Sequence, residues 1–349
     1  MENLKGGSKE RVSKKNVKGS KRGRSSGGRS RPKINLNDYV TTNKKECADF
    51  IDGGVCSEHN ILNAVVLAFG ENNKGFNNKN MFDIVKNEVG REVTIIEDIM
   101  DKAKNKLNCD SESCVISHPE FKKFIVHTHI VSKGDLENNL KKRFKIKGPK
   151  DNTNWLSNYD IDKTLQDWAC KFEDFFPCPF AMIDFDRTNE PLNAYNLIDI
   201  YLGKYSKATT LGNIKIPCRT FGCAINTDVS TGSGKHWMAI FVDMRGPEWT
   251  IEFFNSAGNG PQKSIVRWMA RTKEYLDTFI ANNKYLTTIN PVKIATVSSL
   301  EHQESNTECG LYTLFYIRCR LENVPYSRFL EGEEIPDESM MEFRKHCFR

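Results

Sequence analysis

Four residues in the C-terminal part of the chain have types and surroundings suited to nucleophilic catalysis: Cys309, His236, Asn255 and Gln303. Cys309 stands between a polar run and a long apolar run, so the sequence predicts that it begins a helix. Backbone N–H groups and the dipole at a helix N-terminus stabilise negative charge, which is expected to lower the pKa of the thiol. Such a thiolate could attack a carbonyl carbon, and the same N–H groups could bind the resulting oxyanion.

His236 is the predicted general base for this thiol. It follows a Gly/Ser loop and opens an apolar run typical of a buried strand. The next predicted strand ends at Asn255, and two adjacent strands would bring its amide oxygen beside the imidazole to orient it. His302 lies close to Cys309 in the sequence, but we interpret it as a surface histidine and not as the base.

Two further residues near Cys309 complete the predicted site. Gln303 lies six residues before the cysteine and carries an amide N–H₂ that could donate to the oxyanion. Gly310, directly after the cysteine, leaves room for a substrate carbonyl. The order of His236 before Cys309 argues against a papain-type enzyme, where the cysteine comes first. The lack of an HExxH motif argues against the metalloproteases that use one.

The elements that must position these residues fall within 149–349, which we predict to be one catalytic domain. Strands are predicted from apolar runs bounded by turn residues, and helices from apolar residues at helical intervals. The predicted strands are 220–227, 237–244, 249–255 and 292–297, and the predicted helices are 155–176, 264–280 and 309–321. Their mixed order favours an α+β fold with a central mixed sheet flanked by helices.

The first part of the chain has a different composition. Residues 34–148 are predicted to form a helical arm domain, because the runs 60–69, 81–89 and 95–106 are apolar at helical intervals around an Asn/Gly-rich loop at 70–80. Residues 1–33 hold 12 Lys/Arg and two Asp/Glu, against 39 and 43 in the remainder. With few aliphatic side chains, this basic tail is predicted to be disordered. Its charge suits non-specific contact with DNA, and a solubilising or targeting tail is the alternative.

The overall composition narrows the class of protein. The chain has 349 residues and is 38% hydrophobic, enough for a sizeable core, and no apolar run reaches the ~18 residues of a membrane span. The 11 cysteines are predicted to be mostly free thiols in a reducing compartment. Cys109, Cys114 and His118 could form a zinc site, but their spacing departs from the common zinc fingers, and two free cysteines with a loop histidine is the favoured interpretation. No metal and no cofactor are therefore predicted.

Several motifs resemble the Ulp1/adenain clan of cysteine proteases, which is SUMO-protease-like. They are WLSNYDIDKTLQDW (155–168), HW (236–237), the strand that ends at Asn255, and QESNTECG (303–310). Longer stretches are similar to the viral branch that includes the polyprotein-processing protease of African swine fever virus. These are CDSESCVISHPEF (109–121), FGCAINTDVSTGSGKHWMAIFVDMRG (221–246), IEFFNSAGN (251–259) and TECGLYTLFYIR (307–318). The similarity runs from about Glu46 to the C-terminus.

The resemblance implies a cysteine endopeptidase with a helical arm ahead of the catalytic core, and His236, Asn255, Gln303 and Cys309 match the family's functional positions. It implies cleavage of viral core polyproteins after Gly-Gly during virion maturation, in the host cytoplasm at viral assembly sites and in the virion core. Trp237 matches an aromatic residue that walls a narrow cleft, which suits a substrate segment without side chains. The alternative is a deconjugase that cleaves SUMO or another ubiquitin-like modifier.

Two parts of the sequence depart from the family's pattern. The basic tail is extra, and the arm carries an insertion near 70–100, so the role of the arm and its partners stay open. The tail contains Gly6-Gly7 and Gly27-Gly28, which match the implied cleavage preference. Self-trimming at these dipeptides is a hypothesis, and flexible tail glycine is the favoured interpretation.

Overall fold

A computed structural model describes residues 34–40, 55–70, 89–149, 154–187, 191–208, 215–332 and 334–348. The predicted basic tail, most of the predicted loop at 70–80 and almost all of the predicted helix at 81–89 lie outside these residues. Within the described ranges, no helix is long and apolar enough to cross a bilayer. All described residues belong to one compact unit, and the division at 148 and 149 stays a prediction.

The N-terminal part of the described chain is helical, as the sequence predicts. It consists of α1 (His59–Phe69), α2 (Val89–Leu107), α3 (Glu112–Ser117), α4 (Pro119–Thr128) and α5 (Lys133–Arg143). Ile61, Val115 and Phe121 are fully buried in a core that these helices share. The carboxylate of Glu112 accepts the backbone N–H groups of Cys56 and Ser57. The helices thus have an apolar core of their own, separate from the two cores of the sheet.

The prediction that Cys109 and Cys114 are free thiols is wrong, and so is the zinc alternative for them. Their sulfur atoms form a disulfide between two residues that are five positions apart in the sequence, next to the start of α3. Cys56 is disulfide-bonded as well. The described cysteines that form no disulfide are Cys170, Cys178, Cys218, Cys223, Cys309, Cys319 and Cys347. The prediction therefore fails in the helical arm and holds for the described cysteines of the catalytic part.

The catalytic part is built on one mixed sheet. Its helices are α6 (Asn158–Lys171), α7 (Pro191–Ala194), α8 (Leu197–Tyr201), α9 (Lys263–Ala281), α10 (Cys309–Leu321) and α11 (Asp337–Cys347). Its strands are β1 (Phe175–Pro177), β2 (Ala181–Met182), β3 (Lys207–Ala208), β4 (Lys215–Ile216), β5 (Thr220–Asn226), β6 (Trp237–Asp243), β7 (Thr250–Phe254) and β8 (Lys293–Val297). The sheet order is β1-β5-β6-β7-β8 with β2 also beside β5, and β3 pairs with β4 separately. This confirms the predicted α+β fold with a mixed sheet between helices.

Strands β5, β6 and β7 are buried along their whole length, so both faces of the sheet are covered. Alternate side chains of β6 pack into two different cores. Ala239 and Phe241 face the core that contains α10, and Ile240 and Val242 face the core that contains α9. The pairing β5–β6 and β6–β7 is antiparallel, and β7–β8 is parallel. Because β6 and β7 run antiparallel, the end of β7 lies beside the start of β6, where the candidate site forms.

Helix α10 packs closely on the sheet because small residues face it. A Cβ on Gly222 would lie 3.2 Å from Cγ2 of Ile317 and 2.9 Å from the ring of Phe175. Every residue of α10 except Arg318 is buried. A helix buried on all sides cannot rotate about its axis without breaking packing, so the sheet fixes the position of its first residue.

The structure corrects several predicted boundaries in this part. The predicted helix 155–176 is shorter, because α6 begins at Asn158 behind a Ser157 capping box and ends at Lys171. Residues 175–177 form strand β1, which pairs in parallel with β5. The sequence also gives no prediction for β2, β3, β4 or the C-terminal helix α11.

Candidate active site

Cys309 is the first residue of α10, as predicted. The residue before it, Glu308, makes no side-chain capping bond, so the first N–H groups of the helix are not used by a cap. Cys309 is 3% exposed, and the backbone N–H groups of Trp237, Gly310 and Cys309 itself act on its thiol. The thiol thus touches both the start of α10 and the start of β6, one residue from His236.

The N–H groups at the helix terminus lower the pKa of this thiol, as predicted, but they do not set its net direction. Burial raises the pKa of Cys309, the three backbone N–H groups lower it, and the carboxylate of Glu308 raises it further. The net direction is upward because desolvation of a nearly enclosed thiolate outweighs the N–H groups. The thiol therefore rests in its neutral form and needs a base at the moment of attack.

His236 has a partner that fixes its tautomer. Its Nε2 lies 2.7 Å from Oδ1 of Asn255. The same oxygen accepts the backbone N–H of Ala257 at 3.1 Å, while Nδ2 of Asn255 donates to the carbonyl of Asn259 at 2.9 Å. The amide oxygen is thereby assigned as an acceptor, so Nε2 of the imidazole must carry a hydrogen and donate. The lone pair of Nδ1 is left as the basic site.

The charge state of His236 follows from its surroundings. Burial lowers the pKa of this imidazole, and the hydrogen bond to Asn255 raises it by a smaller amount. With the pKa of His236 lowered and that of Cys309 raised, the resting pair is neutral at neutral pH. A neutral pair of this kind would need proton transfer from sulfur to imidazole during attack.

Gln303 lies on the loop that leads to Cys309, and its amide is held at both ends. Ser256 Oγ donates to Oε1 at 2.8 Å, and Nε2 donates to the carbonyl of Ser305 at 2.8 Å. The backbone N–H of Gln303 also donates to the carbonyl of Ser256 at 3.0 Å. Nε2 carries two hydrogens and the bond to Ser305 uses one, so the second can serve an oxyanion.

The loop between β5 and β6 is tied together by two side chains just before the base. Oδ1 of Asn226 accepts the backbone N–H groups of Asp228 and Lys235 at 2.9 and 3.0 Å. Nζ of Lys235 pairs with the carboxylate of Asp228 at 3.0 Å, and this hydrogen bond is the main reason that the pKa of Asp228 is lowered. These contacts fix the backbone that leads directly into His236.

A groove of about 490 Å³ is lined by Lys235 and Trp237, the residues on either side of His236 in the sequence. One wall is apolar and the other is the β5–β6 loop; the lining includes Leu156, Phe180, Met182, Trp237, Asn226, Ser230 and Gly232 to Lys235. The ring of Phe180 meets that of Trp237 edge to face at 5.9 Å between centroids. Nε1 of Trp237 donates to the carbonyl of Leu156 at 3.2 Å. The predicted aromatic wall residue therefore lines a groove beside the thiol.

Gly310 is placed differently from the sequence-based expectation. A Cβ at this position would lie 3.0 Å from Cβ and 3.3 Å from Cδ1 of Leu156. The glycine thus permits the close approach of Leu156, which in turn holds the indole of Trp237. Its predicted direct role toward a substrate carbonyl stays a prediction.

The other end of α10 is held by a buried charge network. Arg320 binds both oxygens of Glu252 at 2.8 and 3.0 Å and Asp243 at 3.0 Å. The hydroxyl of Tyr316 donates to Glu252 at 2.7 Å. The Glu252 side chain is fully buried, so its charge must be compensated by these partners. This network fastens the helix that carries Cys309 to strands β6 and β7.

His302 is not the surface residue that we predicted from the sequence. It is 1% exposed, and its Nδ1 accepts the backbone N–H of Ile335 at 3.1 Å. Its ring stacks against Phe254 and Tyr312. Sequence reasoning also missed Leu156 and Phe180 in the groove, since isolated apolar residues outside the matched catalytic set give no signal of a ligand-facing position.

Comparison with known proteins agrees with this geometry. The family model described as Ulp1 protease family, C-terminal catalytic domain, matches residues 224–349. A SUMO-1 cysteine protease of African swine fever virus (isolate Tick/South Africa/Pretoriuskop Pr4/1996) is 48% identical over 246 residues, 70% of this chain and 85% of that protein. A crystal structure of the protease of the same virus matches with a TM-score of 0.58 and 43% identity, covering 76% of this chain and 90% of that one.

A second crystal structure, of the selenomethionine form of that viral protease, covers 90% of this chain and 99% of its own with a TM-score of 0.62 and 37% identity. These similarities confirm the predicted resemblance over most of both chains. The chain belongs to the Ulp1 protease family and is a cysteine protease.

Proposed function

We propose that this enzyme is a viral endopeptidase that cleaves core polyproteins after Gly-Gly during virion maturation, at assembly sites in the host cytoplasm and in the virion core. Cys309 is the nucleophile, His236 the general base, Asn255 the orienting residue and Gln303 an oxyanion donor. The observation that carries the proposal is the joint placement of the Cys309 sulfur against the N–H of Trp237 and of His236 Nε2 against Asn255.

The reaction follows from these positions. Nδ1 of His236 takes the proton of the Cys309 thiol as sulfur attacks the scissile carbonyl. The oxyanion receives hydrogen bonds from Nε2 of Gln303 and the backbone N–H of Cys309. The tetrahedral species collapses to a thioester as His236 gives its proton to the leaving amine. Water, deprotonated by His236, then attacks the thioester and releases the acid product and the free thiol.

The lining of the groove supports Gly-Gly as the preferred segment. Leu156, Phe180 and Trp237 all line it: the rings of Phe180 and Trp237 meet edge to face, and the backbone carbonyl of Leu156 accepts Nε1 of Trp237. None of them is a flexible polar chain that could swing aside without losing packing. A peptide that adds no Cβ next to the scissile bond fits such a slot best.

The test is cleavage of a recombinant viral core polyprotein with Gly-Gly sites by wild type, by Cys309→Ala and by Cys170→Ala. Cys170 is an exposed free thiol on α6, so its replacement is the matched control. Wild type and Cys170→Ala should produce new N-termini directly after Gly-Gly, and Cys309→Ala should produce none. Cleavage at other sequences would overturn the Gly-Gly assignment, and equal cleavage by Cys309→Ala would remove Cys309 from the mechanism.

A second candidate function is removal of SUMO or another ubiquitin-like modifier. It is favoured by the name of the related African swine fever virus protein, a SUMO-1 cysteine protease. The chemistry would be unchanged, but a folded modifier must dock outside the groove. Cleavage rates for a SUMO fusion and for an unstructured Gly-Gly peptide of the same junction separate the two candidates. A deconjugase should prefer the fusion by a large factor, and a polyprotein endopeptidase should not.

We further propose non-specific DNA contact through residues 1–33, on the basis of their charge. Binding of the full chain to duplex DNA of random sequence should weaken steeply with added salt and should vanish when the Lys and Arg residues of this segment are replaced by Gln. Binding that survives those replacements would contradict the proposal.

A further inference from the structure

The carboxylate of Asp337, at the start of α11, faces the loop that precedes the nucleophile. Oδ2 accepts the backbone N–H of Ser305 at 2.8 Å and that of Glu304 at 3.2 Å. Oδ1 lies 2.9 Å from the hydroxyl of Tyr312, one turn into α10, whose single hydrogen it shares with the carbonyl of Ile335 at 2.7 Å. One side chain from the C-terminal helix thus holds both the loop and the helix that meet at Cys309.

These contacts lead directly to the predicted oxyanion donor. Asp337 fixes the N–H of Ser305, and the carbonyl of Ser305 accepts Nε2 of Gln303 at 2.8 Å. Ser256 fixes the other end of the Gln303 amide through Oε1. The direction of the second Nε2 hydrogen therefore depends on where Ser305 is held.

Asp337 is not acting merely as a cap for its own helix. The N-cap position of α11 is Pro336, which makes no side-chain capping bond. Both carboxylate oxygens are directed to residues between 25 and 33 positions earlier in the chain. A parallel contact reinforces the same junction, since the backbone N–H of Ile335 donates to Nδ1 of His302, the residue before Gln303.

We infer that Asp337 is a positioning residue that aims the oxyanion-binding amide of Gln303 through Ser305. The inference rests on the proposed role of Gln303 in the acyl-transfer step. Without the carboxylate, the two loop N–H groups lose their acceptor, and the loop can relax by a fraction of an ångström. Displacement of a catalytic donor by about 1 Å can cost up to about a hundredfold in rate, so a loss of about tenfold or more is expected.

The test compares two reactions of Cys309 that differ in their need for an oxyanion donor. Alkylation by iodoacetamide requires the thiolate but forms no oxyanion, whereas acylation by p-nitrophenyl acetate does form one. Both are measured on the full chain for wild type, Asp337→Ala and Glu338→Ala, with Cys309→Ala as the blank for other thiols. Glu338 is exposed in the same turn of α11, so its neutralisation controls for charge at the helix start.

Asp337→Ala should slow acylation by about tenfold or more while alkylation keeps its wild-type rate, and Glu338→Ala should change neither. In a Gln303→Ala background, adding Asp337→Ala should produce no further slowing. Wild-type acylation in Asp337→Ala, a parallel fall in alkylation, or the same factor in the Gln303→Ala background would each overturn the inference. Should Asp337→Ala not fold, Asp337→Glu, which keeps the charge but misplaces the oxygens, is subjected to the same comparison.

The ester assay does not depend on Gly-Gly recognition. A wild-type enzyme that is acylated by the ester but fails to cleave after Gly-Gly would refute the proposed substrate and still test Asp337. The two proposals can therefore fail separately.

Discussion

Oδ1 of Asn255 receives two donors at once, Nε2 of His236 at 2.7 Å and the backbone N–H of Ala257 at 3.1 Å. The second donor has a consequence for the first, because an oxygen held by a backbone N–H cannot exchange places with the amide nitrogen. The imidazole therefore carries its hydrogen on Nε2 whenever it is neutral, and Nδ1 alone gains and loses the proton in the proposed reaction. A neutral amide does this without adding a charge beside the base, which leaves burial as the main influence on the pKa of His236.

The pH dependence of the wild-type enzyme should reflect that influence. Burial lowers the pKa of His236, and the base works only when unprotonated. As pH rises, kcat/KM should therefore increase through a midpoint below the usual pKa of histidine. A pH–rate profile on a peptide substrate measures this midpoint. A fall in kcat/KM through a second midpoint, just above the usual histidine value, would indicate an ion pair with the Cys309 thiolate in the free enzyme.

The acid limb of the pH–rate profile is the range in which kcat/KM rises with pH. Two replacements of Asn255 should shift this limb in opposite directions. Asn255→Asp places a carboxylate beside the imidazole, which stabilises the imidazolium, raises the pKa of His236 and shifts the limb to higher pH. Asn255→Ala removes the one contact that raises this pKa, so the limb should shift to lower pH and kcat should fall as the tautomer is released. Movement of both variants in one direction would contradict the assigned hydrogen bond.

Gln303→Ala should lower kcat by about 10²- to 10³-fold with little change in KM, because the oxyanion exists only in the transition state and the intermediate. Ser256→Ala should cause a smaller loss of the same kind, since Ser256 Oγ only orients the amide through Oε1. Steady-state kinetics on a peptide substrate provide both values. Gln166→Ala, an exposed glutamine on α6, is the matched control and should retain wild-type kinetics.

Gly310→Ala should destabilise the enzyme by about 1–3 kcal/mol, the usual range for overpacking. The new Cβ would lie 3.0 Å from Cβ of Leu156, an atom bonded to the backbone that cannot rotate away. Because the Leu156 carbonyl holds the indole of Trp237, cleavage of peptides should also slow. Urea unfolding and peptide kinetics measure the two effects. The double variant Gly310→Ala/Leu156→Gly, which removes that Cβ, should lose less stability than the sum of the two single variants, and a loss equal to or larger than the sum would argue against direct contact.

Glu252→Gln should reduce the free energy of unfolding by about 3–5 kcal/mol, since it leaves Arg320 buried without its main partner. Glu248→Gln is the control, because the Glu248–Lys293 pair is about half exposed on both sides and should contribute less than about 1 kcal/mol. Denaturant unfolding of both variants separates the two cases. If both variants lose the same small amount of unfolding free energy, the Glu252 carboxylate is solvated and the buried ion pair is not the cause of its stability.

The sequence predicted those elements whose pattern is long and local. Residues 309–321 form a helix with the predicted bounds because thirteen residues give a clear apolar run between polar boundaries. Strand β6 was found because it carries seven buried residues in succession. Strands β1 and β2, by contrast, have three and two residues, too few for any periodicity. They exist because β5 offers them hydrogen bonds, and partners distant in sequence leave no local signal.

For the candidate site, too, the sequence predicted some features and not others. The four proposed catalytic residues were identified from their types, their order and a family resemblance. The burial of His302 and the raised pKa of Cys309 were not, because both depend on how completely distant segments cover these side chains. Asp337 could not be identified as a partner of Ser305, since nothing in the sequence across their separation of 32 residues indicates that α11 returns to the loop.

The contacts of Asp337 also bear on when activity can arise during protein synthesis. Residues 236, 255, 303 and 309 all precede position 337, so a growing chain carries every proposed catalytic side chain before it carries the carboxylate that holds Ser305. The bridge between Ile146 and Phe348, reinforced by the bond from Lys145 to the carbonyl of Lys345, likewise needs residues that emerge late. Because such long-range contacts form only after the intervening chain exists, the ribosome-bound enzyme would hold an unaligned oxyanion donor. A protease that gains its full rate only after position 337 has been made is restrained from cutting during its own translation.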